Sequence, residues 1–228
     1  MKKLVIFSGS GMSAESGIST FRDSGGLWEQ YRIEDVATPQ AWKRDSALVQ
    51  EFYNLRRKQI LGCEPNKAHV LIAQLEEKYD VTVITQNIDD LHERAGSTDV
   101  LHLHGNIRLS KSSGPNAEKA YYPIEGWELK KSDVCPDGFV LRPHVVWFGE
   151  EVPMYEVAMQ RIAPADIFVV IGTSLQVYPV AGLIHCASNA ELRYFIDPNA
   201  GELNVPKSFQ IIPLKAIEGM EKLLKDLG

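Results

Sequence analysis

Two polar stretches, each directly after a run of β-forming residues, contain side chains suited to chemistry: TQNIDDLH at residues 85–92 and HLHG at residues 102–105. In open α/β sheets, ligands bind in the crevice at the carboxyl ends of the strands. We therefore expect Gln86, Asn87 and Asp89 to lie where a cofactor would be contacted. The alternative role of Asn87 or Asp89 is to cap the helix that follows.

His102 and His104 are two residues apart and would face the same side of a strand. A metal pair is one alternative, but no cysteine lies nearby and no third ligand has suitable spacing. One histidine as a general base is the better use, because its pKa falls near working pH. A structural histidine with satisfied hydrogen bonds is the other interpretation of each.

A glycine-rich turn follows the first predicted strand. Its sequence, GSGMSA at residues 9–14, satisfies the G-x-G-x-x-G/A pattern. Gly9 permits the tight turn, Gly11 lets backbone N–H groups approach a pyrophosphate, and Ala14 allows close packing of the next helix. A turn without any ligand is an equal alternative. The following GISTFRDSGGLW, residues 17–28, lacks the acid expected after a second strand and suits a mobile flap over a cofactor.

Two later stretches extend this pattern. IGTSLQVYP, residues 171–179, again leads from a strand into Gly, Thr and Ser, which places small hydroxyl groups and backbone donors in the crevice. An ordinary β-α turn with a Ser or Thr N-cap is the alternative. PHVVWFGEE, residues 143–151, is an extended apolar segment that ends in glycine and acid.

A phenol and a guanidinium share one face of a predicted helix. In EFYNLRR, residues 51–57, Phe52 belongs to an apolar face, whereas Tyr53 and Arg56 stand three residues apart on a different face. Taken alone, this second face would be expected to contact solvent. The alternative is that both groups are held to bind a ligand.

Composition bounds the class of protein. The chain has 228 residues, 44% of them hydrophobic, and a formal net charge of -6, which suits one substantial domain with a small inserted module. Without a long basic run, neither nucleic acid nor an anionic membrane is an expected partner. Three widely separated cysteines suit a reducing compartment, and no apolar stretch approaches the roughly 20 residues of a spanning helix. We expect a cytoplasmic protein.

The order of elements predicts a parallel α/β sheet. Uniformly apolar runs suit strands buried on both faces, and helical patterns at 69–79, 156–163 and 216–227 alternate with them. The predicted strands lie at residues 4–7, 81–85, 100–104, 166–172, 192–197 and 209–214. Residues 28–62 look helical without a strand, and residues 106–142 are polar with little periodicity, so we assign both to a small module.

These motifs, in this order, resemble the sirtuin family of NAD-dependent protein deacylases. The likeness spans most of the chain, from GSGMSAESGISTFR through TQNID, HLHG and PHVVWFGE to GTSLQVYP. The resemblance implies a single domain, 1–228, with a Rossmann-type parallel sheet, helices on both of its faces and a small inserted module. The large part would comprise about 1–27, 63–105 and 143–228.

The resemblance also implies roles for individual residues. His104 would be the catalytic base, assisted by Asn87 and Asp89. NAD would be contacted by Gly9, Ser10, Gly11, Met12, Ser13, Phe21, Arg22, Trp28, Gln86, Asn87, Ile88, Asp89, Gly172, Thr173, Ser174, Asp197, Asn199 and Ala216. Acyl-lysine proteins would bind as extended peptides between two strands at 145–149 and 176–178, with substrate contacts from Ala37, Tyr53, Arg56, Val146, Phe148, Gly149 and Val177.

The implied reaction transfers the acyl group of a lysine to ADP-ribose, which gives free lysine, nicotinamide and an O-acyl-ADP-ribose. Ala37, Tyr53 and Arg56, with Thr20, match the branch of the family that removes acidic groups such as succinyl and malonyl. Arginine can pair with a terminal carboxylate through two hydrogen bonds, and a tyrosine hydroxyl can add a third. A general lysine deacetylase, a mono-ADP-ribosyltransferase and a non-catalytic NAD sensor are the alternatives.

The chain departs from the family at two places. Most sirtuins carry two C-x-x-C pairs that bind a structural zinc, but here the matching region contains only Cys135, so we expect no zinc. Asp197 stands where the family often has Asn. Its carboxylate can accept hydrogen bonds from ribose hydroxyls and would repel a 2′-phosphate, which favours NAD over NADP.

Overall fold

A six-stranded parallel sheet forms the centre of the structure, a computed structural model that describes residues 1–19 and 30–228. The strands of the described residues are β1 (Lys3–Ser8), β2 (Asp80–Thr85), β3 (Val100–His102), β4 (Gly105–Ser112), β5 (Tyr121–Pro123), β6 (Leu141–Val145), β7 (Ile167–Ile171), β8 (Leu192–Ile196) and β9 (Gln210–Ile212). The large sheet has the order β3-β2-β1-β7-β8-β9, and all of its strand pairs are parallel. Each predicted strand of this sheet is confirmed.

Helices cover both faces of the large sheet. Those with described bounds are α1 (Gly11–Ala14), α2 (Ile33–Val36), α3 (Pro39–Arg44), α4 (Ser46–Leu61), α5 (Lys67–Gln74), α6 (Leu91–Arg94), α7 (Tyr155–Ile162) and α8 (Ala216–Leu227), with 3-10 turns at Leu75–Glu77, Val180–His185 and Ala200–Glu202. None of the described helices is both long and apolar enough to cross a membrane.

Packing on both faces of strand β1 explains why its sequence is uniformly apolar. Leu4 and Ile6 belong to the core cluster that contains residues of α5 and α8, whereas Val5 and Phe7 belong to the cluster that contains residues of α7. Because successive side chains of a strand point to opposite faces, a strand covered on both sides needs apolar residues throughout. The predicted α/β class, with a parallel sheet between two helical layers, is confirmed.

A second, smaller sheet lies in the stretch to which the sequence assigned no regular structure. Strands β4, β5 and β6 are antiparallel in the order β5-β4-β6, in the polar stretch that the sequence assigned to a small module without predicting strands there. Two of these strands are short, and the pairing of β4 with β6 is irregular between Gly105 and Ser110. Short, polar, irregular strands give no usable alternation in the sequence.

Helix α4 is joined to this second region by buried polar contacts. The fully buried Arg57 donates to the backbone oxygens of Ile107 (2.6 Å) and Trp127 (2.9 Å) and to Asn54 Oδ1 (2.7 Å). Asn54 in turn exchanges hydrogen bonds with the backbone of Leu129. These contacts support our proposal that residues 28–62 and 106–142 form one small module.

Candidate active site

The candidate site lies at the carboxyl ends of the central strands. From β1 the chain moves outward through β2 and β3 and later returns to the other side of β1 through β7, β8 and β9. A crevice opens where the order of strands reverses in this way. The turns after β1, β2, β7 and β8 all meet there and line a cavity of about 600 Å³, here called the large cavity.

A second cavity of about 170 Å³, here called the small cavity, adjoins the large one. The two share a wall made by the side chains of Ser10, Gln86, Asn87, His104, Phe148 and Val177. A group held at this wall is accessible from both sides. The pair of cavities can therefore hold two reactants that meet at His104.

Many residues predicted for NAD line the large cavity: Ser10, Gly11, Gln86, Asn87, Gly172, Thr173, Ser174, Asp197, Asn199 and Ala216. Others line the small cavity, namely Ser13, Ile88 and Asp89. Gly9 and Met12 line neither, and Met12 is buried in the core. Phe21, Arg22 and Trp28, like Thr20, lie outside the described residues.

The glycine-rich turn packs first against another turn. A Cβ on Gly9 would lie 2.7 Å from the oxygen of Gly172, and one on Gly11 would lie 2.8 Å from the Cα of Gly172, both closer than real contacts allow. The N–H of Gly11 donates to the Gly172 oxygen at 2.8 Å, and the N–H groups of Met12 and Ser13 also donate within the protein. These three N–H groups already have acceptors within the protein, so a pyrophosphate contact through the glycine-rich turn stays a prediction.

Five polar side chains at the candidate site form two hydrogen-bonded groups, one of Gln86 with Thr173 and one of Asn87, Ser13 and Asp89. Gln86 donates to Thr173 Oγ1 (3.0 Å), Asn87 donates to Ser13 Oγ (3.0 Å), and that hydroxyl donates to Asp89 Oδ2 (3.0 Å). Asp89 also accepts from the backbone N–H of Leu91 (3.2 Å), so it lines the cavity and caps the following turn at once. The contact with Leu91 agrees with the capping alternative, and a cofactor contact by Asp89 stays a prediction.

The two histidines have different partners. His104 Nδ1 lies 2.9 Å from the carbonyl oxygen of Gln86, and His102 Nδ1 lies 3.0 Å from that of Asn87. A carbonyl oxygen only accepts, so each Nδ1 carries the hydrogen. His104 Nε2 is then the nitrogen with a lone pair in the neutral ring. His102 Nε2 instead bonds Glu93 Oε1 at 2.7 Å. Both ring nitrogens of His102 therefore have partners within the protein, as expected of a structural histidine.

Their charge states diverge for physical reasons. Burial lowers the pKa of His104, and its hydrogen bond to Gln86 only partly opposes this. Burial alone would also lower the pKa of His102, but the hydrogen bond and charge of Glu93 outweigh it and raise that pKa. Burial raises the pKa of Asp89 against the hydrogen bonds of Leu91 and Ser13. Near neutral pH, His104 is therefore a neutral base.

Tyr53 and Arg56 face the small cavity rather than solvent. Their exposed fractions are 2% and 8%, and they line the same cavity as Ala37 and His104. Burial raises the pKa of Tyr53 and lowers that of Arg56, each partly opposed by the other group. The solvent-exposed interpretation of this pair is therefore wrong. A guanidinium and a phenol lie at the wall of a pocket that also contains the imidazole.

The predicted peptide-binding segments are irregular. Strand β6 ends at Val145, and neither 146–149 nor 176–178 is a strand, so that assignment is wrong for the protein by itself. The N–H groups of Val146 and Phe148 donate to the oxygens of His104 and Ala37. Val146, Phe148, Gly149 and Val177 nevertheless line the small cavity, as the sequence analysis expected of substrate contacts.

Some cavity residues were missed from the sequence. Trp147 lines the small cavity together with Ile18, Val145 and Tyr178, and Lys215 lines the large one. The only available signal for Trp147 was its place in the quoted PHVVWFGEE segment, between residues that were selected. Strand alternation would have placed it on the opposite face from Val146 and Phe148. The irregular backbone after Val145 removes that alternation.

Comparison with known proteins finds relatives over the whole chain. The Sir2 family model matches residues 9–179. A protein of Bacteroides thetaiotaomicron named NAD-dependent protein deacylase is 52% identical over 227 residues, which cover 98% of this chain and 97% of the relative. A protein of the same name from Helicobacter pylori (strain J99) is 48% identical and covers 100% of this chain and 96% of its own.

Solved structures of Sir2 proteins have the same fold as this chain. A Sir2 homologue in complex with NAD superposes with a TM-score of 0.85 at 39% identity, covering 99% of this chain and 89% of its own. A Sir2 protein with a deacetylated p53 peptide and 3′-O-acetyl ADP-ribose superposes with a TM-score of 0.76 at 29% identity, covering 98% and 92%.

The two histidines are expected to titrate in opposite directions from the ordinary imidazole pKa. In a pH titration of the ring resonances by NMR, assigned with His104→Gln and His102→Gln, His104 should titrate below pH 6.5 and His102 above it. Glu93→Gln should lower the pKa of His102 and leave His104 nearly unchanged, because Glu93 contacts only the former. A His104 pKa above 6.5 together with a His102 pKa below 6.5 would contradict these directions.

Proposed function

The chain belongs to the Sir2 family, and from this premise we propose that it removes acidic acyl groups, such as succinyl and malonyl, from protein lysines. It is an NAD-dependent protein deacylase, as its relatives over the full length are named. The proposal concerns its preference among acyl groups. The observation that carries it is the burial of Arg56 and Tyr53 at the wall of the small cavity.

The guanidinium of Arg56 lies in the wall of the small cavity, where an anionic ligand could contact it. Hydrogen bonds between a guanidinium and a carboxylate are about twice as strong as neutral ones. An acyl chain that ends in a carboxylate would offer two oxygens to the guanidinium fork of Arg56 and to the hydroxyl of Tyr53. Ala37, also at this cavity, leaves width for the chain. An acetyl group has no carboxylate with which to bind Arg56 or Tyr53.

The residues of the large cavity fit NAD. Its volume, about 600 Å³, is in the range of cofactor sites, and its polar wall is formed by turns that follow four strands. We propose that Asp197 accepts from ribose hydroxyls and that Gln86, Asn87 and Asp89 orient the nicotinamide and its ribose. When bound, NAD supplies the ribose carbon that takes up the acyl oxygen as nicotinamide leaves, and the acyl group departs as O-acyl-ADP-ribose.

His104 then has a defined task. Its Nδ1–H is committed to the Gln86 oxygen, so Nε2 can take a proton from a ribose hydroxyl and activate that oxygen. The lowered pKa keeps the ring neutral and ready to accept the proton. The shared wall brings this nitrogen close to both reactants. We propose His104 as the general base, and residues 146–149 and 176–178 as the segments that hold the substrate peptide.

The small module is proposed to hold together without zinc. Among residues 1–19 and 30–228, no group of three or more His, Cys, Asp or Glu could hold a metal. Cys135 is buried and contacts Ser112 Oγ at 3.5 Å, while Arg57, Asn54 and Gln50 bind the module's backbone. These contacts provide the cohesion that a metal would otherwise supply.

Arg56→Met should weaken the preference for acidic acyl groups. The native protein should turn over a succinyl-lysine peptide with a higher kcat/KM than the acetyl version of the same peptide. Loss of one charge-assisted interaction of about 1.5–3 kcal/mol should lower the succinyl-to-acetyl ratio roughly tenfold to hundredfold. Arg56→Lys should give an intermediate ratio, because a lysine keeps the charge but lacks the fork.

Arg44→Met provides the matched control. Arg44 is an exposed arginine of the same module, paired with Asp35 on the surface, and its loss should leave the ratio unchanged. A native preference for acetyl, or an unchanged ratio in Arg56→Met, would refute the acidic-acyl proposal. The first of these outcomes would favour a general deacetylase.

His104→Ala distinguishes an enzyme from a sensor. A deacylase should release nicotinamide only when an acyl peptide is present, and the variant should lose at least about a hundredfold of that rate. NAD binding, followed by calorimetry, should persist because other residues form most of the large cavity. Nicotinamide release without deacylation of the peptide would favour a mono-ADP-ribosyltransferase.

Elemental analysis tests the zinc proposal. Protein purified without chelators should contain far less than one equivalent of zinc per chain. Treatment with a chelator should leave its melting temperature unchanged, since no metal contributes to folding. One equivalent of zinc, or a large loss of stability with the chelator, would contradict it.

A further inference from the structure

Trp147 borders the small cavity with an unused hydrogen-bond donor. The exposed fraction of Trp147 is only 2%. Its indole Nε1 is buried and closes no hydrogen bond with the residues that the structure describes. An indole nitrogen can only donate, and a buried donor without an acceptor is destabilising. Such a group in a cavity wall needs an explanation.

The indole is held firmly on its other sides. Trp42 packs against it with ring centroids 5.7 Å apart, and the guanidinium of Arg142 lies 3.3 Å from its ring centroid. Arg142 is in turn bound by Glu150 through two hydrogen bonds of 2.7 and 3.0 Å, and Glu150 also accepts from the backbone N–H of Trp147. The ring therefore has little freedom to turn its N–H toward another acceptor.

The neighbour that this N–H can serve is Tyr53. The two rings lie 6.4 Å apart between centroids, tilted by 33°, and both line the small cavity. Burial raises the pKa of Tyr53, and Trp147, acting on its oxygen as a hydrogen-bond donor, is the strongest effect that opposes the rise. Nε1 nevertheless has no hydrogen-bond partner among the described residues, so its contact with the phenol oxygen is not a closed hydrogen bond.

We propose that Trp147 is a positioning residue for acidic acyl groups, whose indole N–H closes onto the Tyr53 oxygen when Tyr53 donates to a bound carboxylate. This inference rests on the proposed function. The hydroxyl group of Tyr53 has a single hydrogen. When the indole N–H donates to the phenol oxygen, that hydrogen must point away from the indole, and it can then be donated to a carboxylate. Donors arranged in a chain also polarise one another, so the bond from Tyr53 to the carboxylate is strengthened. A neutral acyl group offers no such acceptor.

Trp147→Phe is the direct test. It keeps an aromatic ring against Trp42 and Arg142 but removes the N–H. We expect the succinyl-to-acetyl ratio of kcat/KM to fall roughly threefold to tenfold, the size of one neutral hydrogen bond, mainly through KM for the succinyl peptide. Trp42→Phe is the matched control, because Trp42 packs on the same indole without lining the small cavity, and its ratio should stay native. A merely structural indole would lower turnover on both peptides alike.

A double-mutant cycle with Tyr53→Phe separates the N–H from the shape of the ring. If the indole acts through the phenol oxygen, Trp147→Phe should change the ratio little once that oxygen is gone. An equal fall in both backgrounds would overturn the inference, because it would mean that ring size or direct contact with the ligand sets the effect.

The outcomes distinguish this inference from the function on which it rests. A native enzyme that prefers acetyl refutes both. A native enzyme that prefers succinyl, with a ratio unaffected by Trp147→Phe, refutes the role of Trp147 alone and leaves Arg56 as the carboxylate partner. If Trp147→Phe lowers the succinyl-to-acetyl ratio when Tyr53 is present but not in the Tyr53→Phe variant, the inference is supported.

Discussion

The hydrogen bond between His104 Nδ1 and the carbonyl oxygen of Gln86, 2.9 Å long, is the contact on which the site depends. It fixes which ring nitrogen carries the hydrogen and which one keeps a lone pair. It exists because β3 pairs with β2 in parallel and the N–H of Leu103 then donates to Thr85, which sets residue 104 beside residue 86. The imidazole of His104, the proposed base, is thus positioned by backbone pairing of the central sheet.

The same wall joins two kinds of recognition. On the side of the sheet, turns after the strands form a polar crevice suited to a dinucleotide. On the side of the small module, α4 presents a phenol and a guanidinium to a cavity less than a third as large. Under the proposed function, the module would select the acyl group while the turns of the sheet would bind the cofactor. The buried contacts of Arg57 link the two functions, since they set the orientation of α4.

Much of the fold could be predicted because its signals are local. Each strand of the large sheet is a short apolar run bounded by turn residues, and burial on both faces makes these runs uniform. The small sheet could not be predicted, because β5 has only three residues and β4 pairs irregularly with β6. Its strands are defined by partners distant in the chain. Likewise, the glycines of the first turn were recognised from the sequence. Their close packing against Gly172, which leaves no room for a Cβ, could not be predicted, because Gly172 lies about 160 residues away in the chain.

The sequence by itself determined the chemical inventory and the order of the motifs, because residue types and their spacing along strands and turns are local properties. Spacing alone left His102 and His104 equivalent and left Tyr53 and Arg56 between solvent and a pocket, and only the family resemblance chose His104 as the base and the pocket for Tyr53 and Arg56. Only the tertiary structure shows the contacts that separate these cases: Glu93 engages one imidazole, the shared wall exposes the other, and the packing of α4 turns the phenol and guanidinium inward. The direction of a side chain depends on contacts between distant segments, and no short pattern encodes them.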